Sequence, residues 1–132
     1  MKNLFHGAAL LAALGFASHA AFGADFDGSK PLICATMEAQ DCAAGETCSR
    51  ELPDSLGLPQ FMRIDFAKQA IIGPKRTTPI KTMERSPSQV LMQGTELGFA
   101  WTLVLDATSG RLSASFLNGD NAVLAFGACT PQ

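Results

Sequence analysis

The 132-residue chain has no tyrosine, one tryptophan and only two histidines. Both histidines, His6 and His19, fall in an N-terminal stretch that reads as an export signal, so the mature chain has none. That absence removes Ser-His-Asp and Cys-His nucleophilic machinery, imidazole acid–base catalysis and most transition-metal sites. Charge is sparse as well, with 17% Asp, Glu, Lys and Arg and a net charge of −2. Nothing in that balance points to nucleic acid, and a mildly acidic surface does not seek anionic lipid. No phosphate-cradling G-x-x-x-x-G-K-[ST] or G-x-G-x-x-G motif occurs. Met37, Met62, Met83 and Met92 have no histidine to join in a copper site, and the cysteine spacings match no common zinc pattern. The sequence therefore assigns no catalytic residue, cofactor or metal ligand.

What is present begins with the export signal. Met1-Lys2-Asn3 is a short basic start, Ala8 to Ala17 is apolar, and small residues follow, as in a secretory signal peptide. The apolar run falls well short of the ~20 residues that span a bilayer, and no later segment is apolar enough to insert. Small-x-small cleavage sites end at Ala20 and Gly23, and the polar Asp25-Phe26-Asp27-Gly28 favours the second. The domains are then a signal over 1–23 and a single β domain over 24–132, periplasmic or secreted.

Four cysteines, Cys34, Cys42, Cys48 and Cys129, remain after cleavage. In an exported chain an even number reads as a disulfide framework, here with three possible pairings. Cys42–Cys48 across a small-residue loop, with Cys34–Cys129 joining the two ends, is the favoured one. Chain entropy gives the long closure about 4.7 kcal/mol and the short one about half that. Neither spacing is the C-x-x-C of thiol redox enzymes.

The strands follow from alternation. Asp25 to Pro31 reads as a loose polar start, and Leu32 to Met37 as a first strand. The pattern breaks between Glu38 and Gln60, with one helical turn near Ser49–Leu56. Phe61 to Phe66 alternates with Met62, Ile64 and Phe66 inward and Arg63 and Asp65 toward solvent. Ala67-Lys68-Gln69 reverses the chain into Ala70-Ile71-Ile72, and Thr77 to Arg85 forms a strand whose Pro79 calls for an edge position or a bulge. Gln89 to Gln93 follows, then a turn over Gly94–Gly98. Leu97 to Cys129 is the clearest part, a three-stranded meander whose first strand aligns Phe99, Trp101, Leu103 and Leu105. Its turns are Asp106–Gly110 and Asn118-Gly119, strong hairpin signals. The last strand, Ala122 to Ala128, is apolar on both faces and so should be central or covered on both sides. The fold class is all-β: an antiparallel meander of seven or eight strands, stapled by disulfides and barrel-like or sandwich, with closure favoured because it removes edges.

Candidate functional residues are few. Trp101 can line a pocket for a small apolar or carbohydrate ligand, although a lone Trp in an alternating strand is more often core. Glu38, Asp41, Asp65, Glu84, Glu96 and Asp106 are the carboxylates from which a hydrolytic pair would have to come. The only basic cluster runs from Lys75 to Arg85, and near an edge strand such residues usually serve solubility. If a site exists, the irregular segment from Glu38 to Gln60 or the open side near Pro79 is as good a host as the meander.

The order PLICATMEAQDC, LPQFMRIDFAKQAI, RTTPI, LMQG, GFAWTLVLDATSG and FGACTP resembles a group of small exported Gram-negative bacterial proteins of unknown function. That resemblance runs from Pro31 to Pro131 and implies export, but no activity or catalytic residue. A second likeness, of architecture alone, is to periplasmic barrels such as inhibitors of C-type lysozyme. The inhibitory loop of those proteins has no counterpart here. The expectation is a non-enzymatic envelope domain that binds a protein, a glycan or a small apolar ligand. The alternatives are a carboxylate-dependent hydrolase of an envelope polymer and a structural or stress-protective envelope protein. Peptide mapping of the exported protein should link Cys34 to Cys129 and Cys42 to Cys48; a Cys34–Cys42 peptide would refute the pairing.

Overall fold

The computed structural model describes residues 25–132; the signal read over 1–23, with His6 and His19, lies outside the described residues. Ten strands follow one another: β1 Leu32–Ala43, β2 Ser49–Glu51, β3 Phe61–Asp65, β4 Ala70–Ile72, β5 Thr77–Pro79, β6 Thr82–Arg85, β7 Gln89–Glu96, β8 Phe99–Asp106, β9 Arg111–Leu117 and β10 Asn121–Pro131. A 3-10 turn, Pro53–Leu56, is the one helical element among the described residues. Every pairing is antiparallel, in one sheet of order β5-β4-β3-β1-β10-β9-β8-β7-β6, with β2 added to the far half of β1. The result is a curled, barrel-like sheet and not a sandwich.

The curl follows from the two ends of that order. β5 and β6 are consecutive in the chain, separated only by Ile80 and Lys81. The Ile80 amide donates to Gln69 O at 2.8 Å, on the β4 side, and the Lys81 amide donates to Gln93 O on β7 at 2.9 Å. Residues 77–85 thus serve both ends of the sheet. The sequence reads this run as one strand, and the switch of partner at Ile80-Lys81 divides it in two. Pro79 lies in edge strand β5, as its missing donor requires.

β1 is longer than its alternation suggests. Leu32 and Cys34 are buried, Met37 and Glu38 are both exposed, and burial resumes at Ala39. The register jumps between Thr36 and Glu38 against Gly127 and Phe126, so Met37 is the extra residue of a β-bulge. A bulge shifts the period of two, which is why the strand seems to stop at Met37 in sequence. Gly127 makes the bulge possible: a Cβ there would sit 2.1 Å from the Ala35 carbonyl oxygen.

Two disulfides hold this frame. Cys34 and Cys129 face each other directly across β1 and β10, 95 residues apart in sequence, and Cys42–Cys48 closes the β1–β2 connection. β10 lies between β1 and β9, a central strand as its two apolar faces require.

Two expectations are corrected. The start of the described chain is not loose: Phe26 packs on the core and against Gly110, and Arg85 donates to Gly28 O at 3.3 Å. One apolar residue in a polar stretch suffices to seat it. Asp65 does not face solvent but is buried, since it accepts the Lys68 amide at 3.1 Å within the turn and pairs with Arg63 at 3.2 Å. Asp106 fulfils the turn role read for it. The amides of Thr108 and Ser109 and the Ser109 hydroxyl all donate to its Oδ1. The bonds from Ser109 hold its carboxyl below the ordinary carboxylate range.

Gly127→Ala should lower stability by about 1–3 kcal/mol, because backbone must give way on β1. Gly119→Ala, which meets nothing within 4 Å, is the control. Urea midpoints check this, and equal midpoints would show that β1 and β10 do not approach this closely.

Candidate apolar cavity

The inner face of the sheet divides into two regions. Toward the end where Phe26 packs, Leu32, Ile64, Val90 and Leu105 are fully buried and close the core. Toward the opposite end the wall is lined by Phe99, Trp101, Leu103, Leu112, Ala114 and Phe116 of β8 and β9, with Met62 and Ile71 from β3 and β4. These side chains do not fill the space between them. A cavity of about 820 Å³ remains, open at this end. Five of the seven aromatic residues between 25 and 132 line it, namely Phe61, Phe99, Trp101, Phe116 and Phe126.

Trp101 owes its place to Gly94. The two are directly paired across β7 and β8, and a Cβ on residue 94 would lie 2.4 Å from Trp101 Cζ2 and 3.0 Å from Pro79 O. The ring therefore lies over a bare patch of backbone. Trp101 is 4% exposed and belongs to the core cluster, yet it also lines the cavity. Its indole N–H is buried and has no acceptor, an unusual state for a buried donor.

Connecting segments form the lip. On one side stands the segment after β2, where Leu52 O and Pro53 O accept the amides of Ser55 and Leu58, and Gln60 O accepts the Thr36 amide. It contributes Asp54 and Leu56 to Phe61 to the lining. Next to it, where Pro59 lies against Gly73, is the β4–β5 turn with Lys75 and Arg76, followed by the β7–β8 turn, Leu97-Gly98. Both residues of that second turn have positive φ, 47° at Leu97 and 85° at Gly98, the two-residue geometry that favours Asn-Gly. The turn is tighter than the Gly94–Gly98 loop read from sequence, because Gly94 to Glu96 continue β7.

Glu96 ties the two turns together. Its Oε1 accepts from Arg76 Nη1 at 3.3 Å and its Oε2 accepts from the Thr78 hydroxyl at 2.7 Å. It is the only one of the six carboxylates named above that reaches the cavity, and both of its oxygens are engaged. The basic run is dispersed by the curl: Lys75 and Arg76 stand at the lip, Lys81 bonds the Thr95 hydroxyl, and Arg85 is at the closed end. Of the two hosts named besides the meander, both the irregular segment and the Pro79 side supply residues to the lip. The lining from Met62, Phe99 and Leu103 was legible only as inward apolar faces, since alternation reports which side chains turn inward and not whether the interior is full, and alternation put Phe61 on the outer face.

Comparison with protein-family models, curated proteins and solved structures finds no match for this chain.

Gly94→Ala should push the Trp101 ring toward the cavity, shift its fluorescence emission and cost about 1–3 kcal/mol. An unchanged emission spectrum would show that the ring does not rest on residue 94.

Proposed function

We propose that this protein is an exported binding domain whose cavity takes up a small, largely apolar ligand. The observation that carries this reading is the open, aromatic-lined cavity beside Trp101. Its volume lies within the range of small-molecule sites, which are mostly apolar with a few polar groups to orient the ligand. Leu97 supports the same reading. It is 75% exposed at the lip, in a left-handed conformation that costs a residue with a Cβ about 1–2 kcal/mol. Phe61, also in the lining, is 62% exposed. Neither exposure helps the fold, and both help an apolar molecule cross the lip. A glycan fits less well, because its hydroxyls would face hydrocarbon without partners.

Two disulfides suit an oxidising compartment outside the cytoplasm. Periplasmic or secreted placement, and kinship with small exported bacterial proteins, rest on the signal sequence and the motifs given above. Among the described residues no helix is long and apolar enough to cross a membrane.

A neutral naphthylamine probe titrated into the protein should bind saturably and quench or blue-shift Trp101. Ala125→Phe and the milder Ala114→Leu, both on the cavity wall, should weaken that binding at least tenfold while the proteins stay folded. No saturable binding by the unaltered protein would overturn the reading.

A further inference from the structure

We infer that the ligand is an amphiphile with an anionic head, its apolar body in the cavity and its carboxylate or phosphate at the lip beside Lys75 and Arg76. This rests on the apolar-ligand reading and adds the chemistry of the ligand's polar end.

The polarity of the site runs in one direction. The wall from Trp101 through Leu103, Leu112 and Ala114 offers hydrocarbon, while the charged groups of the lining are Asp54, Lys75, Arg76 and Glu96, all on the lip. A molecule that enters must therefore put its apolar part inward and keep any charge at the opening. The hydrogen-bonding capacity left over at the lip decides the sign of that charge. Glu96 has one oxygen bonded to Arg76 and the other to Thr78, so each oxygen already has a donor. Arg76 uses one of its guanidinium nitrogens in that pair and keeps further N–H donors, with 47% of its side chain exposed. Lys75 makes no salt bridge among the described residues. The four charged lining groups sum to zero, but Lys75 and Arg76 are neighbours in one turn and Glu96 is paired with Arg76, so that turn keeps one cation and a surplus of donors. Glu96 also holds the guanidinium in place, so less side-chain entropy is lost when an anion arrives. Asp54, from the segment after β2, also lines the site and bonds neither cation; its charge opposes an anionic head.

The test displaces the neutral naphthylamine probe with four ligands of one chain length, each below its aggregation concentration: dodecanoate, dodecyl phosphate, dodecanol and dodecyltrimethylammonium. The two anions should displace it at least tenfold more effectively than the alcohol, with the cation weakest, and added salt should narrow that gap. The order of dodecanoate and dodecyl phosphate identifies which anion the lip prefers. Lys75→Ala should weaken the anions roughly threefold to tenfold and leave dodecanol unchanged. Asp54→Asn should tighten the anions. Equal displacement by dodecanol and dodecanoate, or a preference for the cation, would overturn the anionic head and leave the apolar cavity standing. Failure of the probe itself to bind would instead overturn the reading on which this rests.

Discussion

Ile80 and Lys81 donate their adjacent amides in opposite directions, one toward β4 and the other to β7, and the rest of the structure depends on this divergence. A sheet of nine strands in a row has two edges, and each exposes unpaired backbone. Here both edges belong to one run of nine residues, 77–85, so the sheet has to curl until its ends meet. Curling sets an inside and an outside. It also brings Arg76 and Thr78 beside Glu96, residues 18 to 20 positions away in sequence. Where β5 and β7 run side by side, side-chain bonds through Glu96 join the wall.

Closure of this kind needs local devices, and glycines provide two of them. Gly127 lets β1 bulge at Met37, and Gly94 lets a tryptophan ring lie flat on the opposite wall. The Cys34–Cys129 bond fixes the register of the strand pair that carries the bulge, so a slip there would have to break a covalent link. The frame is secured near its closed end, where Phe26, Leu105 and Phe66 pack, and less filled toward the lip.

Alternation along the chain revealed the meander from Phe99 to β10, the inward set Met62, Ile64 and Phe66, and the central place of the last strand. The cysteine spacing revealed both disulfides. These are local signals, with each residue's environment set by neighbours two positions away or by a turn. The remainder was hidden for specific reasons. The bulge at Met37 shifts the period, so the second half of β1 read as irregular. Residues 77–85 keep one extended pattern while changing partners, and no sequence period records a partner. Asp65 read as exposed because alternation ignores the turn amide that draws it inward. The cavity was the least legible feature. Phe99, Trp101 and Leu103 look the same in sequence whether the space before them is filled or empty.

That empty space is too large to be a packing defect. A sealed void costs about 24 cal/mol per Å³. At that rate 820 Å³ would cost ~20 kcal/mol, more than the ~5–15 kcal/mol by which a domain of this size is stable. The fold can hold such a volume only because it is open, and the small side chains Ala114 and Ala125 and the bare backbone at Gly94 keep it from being filled. The wall is thin where Ala114 and Ala125 stand, and Leu97 is exposed in a left-handed turn at the opening, so the unfilled volume and the strained backbone border the same cavity.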